Sequence, residues 1–213
     1  MDVAVAGGHG QVALRLLRLL AERGNRARGL IRNPDHRGDL EAAGAEPVVA
    51  DLEADDDIAA AVAGADAVVF AAGAGPGSGP ERKKTVDLGA AVKLIDAAKA
   101  NEIGRYVIVS SMGAGDPPAG TEGMAPYLQA KAAADEALAT SGLAYTIVRP
   151  GMLTNDPGTG RIEAAEHLGR RGRISRDDVA ATLVAVLDES STVGKTFELL
   201  SGEEEIAAAL RAL

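Results

Sequence analysis

The chain has 213 residues, 46% of them apolar and 25% charged, a balance that supports a packed core and excludes a disordered polypeptide. Its formal charge of −9 argues against a nucleic-acid-binding surface, whose affinity comes from neutralising phosphates, and leaves small molecules or other subunits as partners. There is no cysteine, which excludes disulfides, thiolate zinc sites and thiol catalysis and fits a reducing, cytoplasmic setting. No apolar run nears the roughly 18 residues that a membrane helix needs. No basic segment precedes the first strand either, so neither a membrane span nor a signal peptide is expected.

Taken in chain order, a first strand is expected over 3–6. The turn Gly7-Gly8-His9-Gly10-Gln11-Val12-Ala13 follows at once and opens a helix over 12–23. Leu16, Leu17, Leu19 and Leu20 make the apolar stripe of that helix, and Gly24 supplies its stop. Further strands are expected over 27–31, 47–50, 67–71, 106–109 and 145–148, with a weaker one over 196–200. These are continuous apolar runs rich in β-branched residues, the pattern of parallel strands covered on both faces. Helical patterns fall between them, over 56–63, 84–101, 126–141, 176–187 and 204–212. Strands alternating with helices imply right-handed βαβ crossovers. The fold class is therefore α/β, a doubly wound parallel sheet (Rossmann fold) in a single domain spanning 1–213.

Three loops, 73–80, 113–123 and 151–160, are rich in Gly and Pro, and each follows a strand. That places them at the carboxyl edge of the sheet, where open α/β sheets bind ligands, and they would form the substrate site. The acidic run 51–57 reads as a solvated loop and helix start, with only Asp51, at a strand end, offering a functional role.

The first chemical constellation is Gly7-x-x-Gly10-x-x-Ala13 between a strand and a helix. Gly7 permits a tight turn with positive φ, Gly10 lets the backbone approach a pyrophosphate, and Ala13 allows the helix to pack close to the strand. The amides of the helix start, with its positive dipole end, would face the phosphates. A glycine-rich turn with no ligand is the alternative. The second constellation is the end of the second strand. An NAD site offers a carboxylate there for the ribose 2′-hydroxyl; here the strand ends in Arg32, and Asp35 lies past Pro34. An arginine suits a 2′-phosphate, so NADP(H) is expected over NAD(H). The third is Tyr127-Leu128-Gln129-Ala130-Lys131. Pro126 suits a first helical turn, so Tyr127 and Lys131, four apart, share one face. A nearby ammonium stabilises the phenolate that a proton-donating tyrosine leaves behind. Ser111 ends the preceding strand 16 residues earlier and so lies near the same edge.

With these pieces the chain resembles the short-chain dehydrogenase/reductase superfamily. Within it, the resemblance is to the compact, atypical NAD(P)H-binding branch of NmrA-like and biliverdin/flavin-reductase-like proteins. The matching segments are the glycine turn, Arg32-Asn33-Pro34, Asp51-Leu52, Ala71-Ala72-Gly73, Ser110-Ser111-Met112-Gly113-Ala114, 127–131, 145–151 and 174–180. The resemblance implies that Asp51 bonds the adenine amine while Leu52 packs on the ring, and that Ala71, Ala72 and Gly73 line the cofactor. It implies that Lys131 also binds the nicotinamide ribose, that Ser111 orients the substrate carbonyl, and that Pro150 and Gly151 contact the nicotinamide end. His9, in the phosphate turn, would pack over phosphate or solvent. His36 and His167 have no partners suggesting a metal, and none is expected.

Two departures bear on activity. Epimerase-like members carry a third hydroxyl residue where this chain has Met112. They also carry a substrate domain, whereas only about sixty residues remain after Gly151, expected as two helices and a strand that close the fold. Sugar-nucleotide epimerisation is not expected. What is expected is an NADPH-dependent reductase of a small carbonyl, quinone or flavin, monomeric or homodimeric. The alternative is a non-catalytic NADP(H)-binding redox sensor of the NmrA-like type.

Overall fold

Side-chain alternation along the strands sets the architecture of the computed structural model, which describes every residue except 56, 76 and 119–121. In β1 (Asp2–Ala6), Val3 and Val5 enter one apolar cluster, and Ala4 and Ala6 enter another on the opposite face. The same period of two divides Ala67 and Val69 from Val68 and Phe70 in β4 (Ala67–Phe70). It also divides Val107 and Val109 from Tyr106 and Ile108 in β5 (Arg105–Val109). A strand apolar on both faces must be covered on both. One cover comprises α1 (Gln11–Glu22) and α7 (Arg176–Asp188), through Leu16, Leu17, Val179 and Leu183. The other comprises α5 (Ala91–Ala100) and α6 (Ala125–Ala139), through Leu94, Ile95, Ala134 and Leu138. Each fully buried leucine here stabilises the fold by about 1.5–3 kcal/mol.

With β2 (Arg26–Ile31), β3 (Glu46–Val49) and β6 (Ala144–Pro150), the parallel part of the sheet runs β3-β2-β1-β4-β5-β6. The order reverses between β1 and β4, the switch point at which such sheets open a crevice. Beyond β6 the sheet continues with β10 (Lys195–Ser201), parallel to it. β8 (Arg161–Ala165) and β11 (Glu204–Glu205) then follow in antiparallel pairing. The sheet is thus mostly parallel rather than wholly so.

Most expected elements form, and the differences have local causes. The strand expected over 47–50 is an edge strand with Val49 43% exposed, not a buried one. A short helix, α2 (Arg37–Ala42), fills the connection before it and buries only Leu40, too little periodicity to notice. The helix expected over 56–63 contracts to α3 (Ala59–Val62), where the Asp57 carboxylate accepts the Ala59 amide; residue 56 lies outside the described residues. The helix expected over 84–101 begins earlier, as α4 (Pro80–Arg82), and continues as a π-helical stretch (Lys83–Ala90) into α5. After Gly151 the chain makes strands that sequence reasoning missed. β7 (Met152–Thr154) pairs in parallel with β9 (Arg173–Ser175) as a separate ribbon, and β8 buries only Ile162 fully. Three-residue strands and a strand with one core residue leave almost no alternation to detect. The last helix, α8 (Ile206–Arg211), starts two residues later than expected because β11 takes Glu204 and Glu205.

Candidate functional site

Gly7 follows β1 with φ +77°, and a Cβ there would stand 2.6 Å from the Ala72 Cα, so both conformation and space demand glycine. The Gly10 amide donates to the Gly7 carbonyl at 2.7 Å and closes the turn; the Gly8 amide donates to the Leu30 carbonyl at 2.9 Å. Gly10 caps α1 without a side-chain acceptor, and the first turn has no acidic residue, which leaves the helix dipole uncompensated at the crevice. A Cβ on Gly10 would lie 3.0 Å from the Gly7 carbonyl oxygen, filling the hollow at the helix start. A hollow lined by backbone and headed by a helix N-terminus fits a pyrophosphate.

Two clefts open from this turn. The first, of about 350 Å³, is lined by Gly7, His9, Gly10, Arg32, Asp51, Leu52, Ala71, Ala72 and Gly73. The structure therefore gathers the residues expected at the adenosine end. It also adds His36, Glu53 and Arg82, which sequence reasoning missed. Arg32 donates to Glu53 Oε2 at 3.0 Å and Arg82 to the same oxygen at 3.3 Å, while the Thr85 hydroxyl donates to Oε1 at 2.9 Å. Glu53 was hidden in an acidic run that reads as solvated. Asp51 Oδ1 accepts the Glu53 and Ala54 amides at 2.9 and 3.2 Å, shaping the loop as well as lining the cleft. His9, expected to pack over phosphate or solvent, lines this cleft. Its ring stacks on His36 at 3.6 Å and hydrogen-bonds the Asp39 carboxylate at 2.7 Å.

The second cleft, of about 840 Å³, shares Gly10, Ala71, Ala72 and Gly73 with the first and takes in Gln11, Val12, Ser110, Ser111, Tyr127 and Lys131. Gly151 lines it, whereas the expected Pro150 is buried in β6 and offers its carbonyl to the Met112 amide at 3.0 Å. Of the loops expected here, 73–80 and 151–160 contribute lining residues. Among the described residues 113–123 contributes none, its place being taken by Met124; residues 76 and 119–121 lie outside the described residues.

Lys131 is only 3% exposed. Its ammonium donates to the Val109 carbonyl at 3.1 Å, meets Asp87 Oδ1 at 3.3 Å, and lies 5.9 Å from the centre of the Tyr127 ring. Asp87, fully buried on the π-helical stretch, was not foreseen. Its Oδ1 makes a charge contact rather than an aligned hydrogen bond, and its Oδ2 accepts the Ala74 amide at 3.4 Å. π-helical turns cluster at functional sites, but nothing in the sequence of 83–90 announces one. One turn past Lys131 on α6, Asp135 accepts the Ser110 hydroxyl and the Arg149 Nε, both at 2.9 Å. Burial pushes the Asp135 carboxyl above its usual range, opposed by the Ser110 hydrogen bond and the Arg149 charge. Ser110 is thereby committed to the scaffold. Among the described residues the Ser111 hydroxyl donates only to the Met112 carbonyl, at 3.3 Å, a weak contact that a ligand oxygen can replace. Among the described residues no group of three or more His, Asp or Glu could hold a metal ion, and no helix is long and apolar enough to cross a membrane.

A glycine-turn crevice at the switch point of a β3-β2-β1-β4-β5-β6 sheet defines a Rossmann-type dinucleotide-binding protein. Residues 7–190 match the family model described as NAD(P)H-binding, and the chain belongs to that family. It is 44% identical over 215 residues to the Bacillus subtilis (strain 168) protein named uncharacterized sugar epimerase YhfK, covering 100% of both chains. It is 34% identical over 225 residues to the Saccharomyces cerevisiae UPF0659 protein YMR090W, covering 100% of this chain and 99% of the yeast protein. Among solved structures, a Bacillus halodurans chain provisionally described as an NAD-dependent epimerase/dehydratase superposes with TM-score 0.95 at 41% identity, each chain fully covered. The oxidoreductase ylbE from Lactococcus lactis superposes with TM-score 0.87 at 27% identity, covering 100% of this chain and 96% of that one. The resemblance drawn from the motifs thus holds at the level of family, cofactor class and fold.

Proposed function

We propose that the protein is an NADPH-dependent oxidoreductase, of short-chain dehydrogenase/reductase type, acting on a small carbonyl, quinone or flavin. The observation that carries this reading is the convergence of Ser111, Tyr127 and Lys131 on a cleft that also contains the amide-rich start of α1. One end of the cleft suits phosphate and the other suits proton transfer. When bound, the nicotinamide supplies the hydride.

Gly7, His9, Gly10, Gln11 and Val12 would hold the pyrophosphate, Asp51 and Leu52 the adenine, and Arg32 a 2′-phosphate. Ala71, Ala72 and Gly73 would form the wall between the two ends, with Pro150 supporting Gly151 at the nicotinamide end. The Tyr127 hydroxyl donates a proton to the substrate oxygen as charge develops there, and the Ser111 hydroxyl donates a hydrogen bond to the same oxygen. The Lys131 ammonium, fixed by Asp87 and the Val109 carbonyl, would stabilise the phenolate that remains and would also hold the nicotinamide ribose.

The test is NADPH oxidation against a panel of aldehydes, ketones, quinones and flavins. Tyr127→Phe removes only a hydroxyl and should lower carbonyl reduction by roughly 10²- to 10⁴-fold with NADPH affinity nearly unchanged. Tight NADPH binding with no turnover of any acceptor would overturn the reductase reading in favour of a redox sensor.

A further inference from the structure

Two cations of the nicotinamide-side cleft have no part in the chemistry proposed above. Lys83 opens the π-helical stretch and Arg176 opens α7; both line the cleft, and both are half-buried. Among the described residues Lys83 has no carboxylate partner, and Arg176 donates to the amide oxygen of Asn155 at 3.0 Å, a neutral acceptor. The other charged residues of the lining, Asp87 and Lys131, are paired with each other and cancel. The cleft therefore holds two uncompensated positive charges, within a chain whose formal charge is −9. The neighbouring cleft is built the other way, because both of its arginines, Arg32 and Arg82, share Glu53.

Lys83 stands about one helical turn ahead of Asp87, whose carboxylate meets Lys131, so Lys83 and Asp87 share a face of that stretch. Arg176 is anchored from a different element. It follows Ser175, which pairs with Thr154 across the β7–β9 ribbon, and its guanidinium reaches Asn155 just past that ribbon. Leu153 and Met124 give the same cleft an apolar surface. The pyrophosphate has its own donors in the glycine turn and the start of α1. Two cations with spare donors beside apolar surface and a proton donor match a substrate with a reducible apolar body and an anionic arm.

We infer that Lys83 and Arg176 form an anion subsite, so that the substrate carries a carboxylate or phosphate in addition to its reducible group. The inference rests on the reductase reading of this cleft and narrows its substrate class.

The test is binding to the NADP⁺-loaded protein at low ionic strength, with probe pairs that differ only in an anionic group. FMN and riboflavin share one ring system and can be followed by flavin fluorescence; 4-carboxybenzaldehyde and benzaldehyde, followed by calorimetry, cover a smaller body. The charged member of a pair should bind about tenfold tighter or more, the equivalent of one charge-assisted hydrogen bond. Salt should narrow that margin. Lys83→Gln and Arg176→Gln should each bring the two members to within about threefold, and retained NADP⁺ affinity in each variant reports an intact fold. Equal binding within both pairs, or a preference that survives both substitutions, would overturn the subsite. So would a loss of NADP⁺ affinity in step with the probe, because the cations would then serve the dinucleotide. Turnover does not enter these measurements. A charge preference without NADPH oxidation would leave the subsite standing and sink the reductase, and the reverse pattern would do the opposite.

Discussion

Glu53 holds Arg32 and Arg82 on one carboxylate in the lining of the first cleft, so with a dinucleotide seated as proposed, cofactor choice would be a contest between neighbours. A 2′-phosphate would have to draw one or both guanidiniums from Glu53. Arg32→Ala should therefore weaken NADPH by about tenfold or more and leave NADH nearly unchanged. Glu53→Gln, which frees both cations, should widen the preference for NADPH. Calorimetry with the two cofactors checks both, and equal affinities in the parent protein would remove the NADP assignment. Asp135 supplies a second, titratable handle. Burial raises its carboxyl above its ordinary 3.8, so the folded state binds that proton more tightly than the unfolded chain does. Its contribution to stability is fully present below the unfolded value and is lost as pH rises through the raised folded value. Asp135→Asn keeps an acceptor for Ser110 and cannot titrate. The stability of the parent minus that of this variant should thus fall as pH is raised from about 4 through the mildly acidic range, read from urea unfolding. A flat or rising difference would mean that Ser110 and Arg149 outweigh burial. At this scale the sequence was readable where partners are close in the chain. Tyr127 and Lys131 share a helix face by spacing alone, whereas Asp87 meets Lys131 only through tertiary packing and left no local signal.

The strand–turn–helix unit built from β1 and α1 allows a comparison of two glycines that share a backbone conformation. Gly7 has φ +77° and Gly24, just past α1, has φ +75°. A Cβ on Gly7 would stand 2.6 Å from the Ala72 backbone, while one on Gly24 would have nothing within 4 Å. Gly24→Ala should therefore cost only the left-handed penalty of about 1–2 kcal/mol. Gly7→Ala adds a backbone collision and should cost clearly more, along with dinucleotide binding. Denaturant unfolding of the two variants makes the comparison, and equal losses would show that φ alone decides. Long apolar runs such as β1, β4 and β5 were legible because both faces are buried and every residue carries the signal. The ribbon of β7 and β9 was not, since each strand has three residues and its pairing depends on a partner some twenty residues away. The π-helical stretch escaped for a related reason, because its sequence is that of an ordinary helix and its extra width is a tertiary outcome.

Across the whole molecule, the segment after Gly151 adds β8, β10 and β11 to the main sheet and packs α7 onto its face. Sequence reasoning anticipated that this segment would close the fold, though as two helices and one strand, because only β10 carries enough consecutive core residues to be read in advance. The crevice then lies between β1 and β4, in the middle of a continuous sheet. A dinucleotide seated there would touch loops from both halves, so its binding energy should stabilise the entire unit. At a free concentration one hundred times its dissociation constant, NADPH should add about 2.7 kcal/mol to the unfolding free energy. For a chain of this length that corresponds to a rise in Tm of roughly 5–10 °C. Calorimetric scans should show one transition that moves as a whole, with NADH at the same concentration moving it less. Tyr127→Phe should shift as the parent does, since it alters proton transfer and not the dinucleotide's seat. An unmoved transition would sink dinucleotide binding at this crevice. Two transitions, of which NADPH moves only one, would instead show that the sheet does not unfold as a unit and that the strands after β6 form a separate cooperative block.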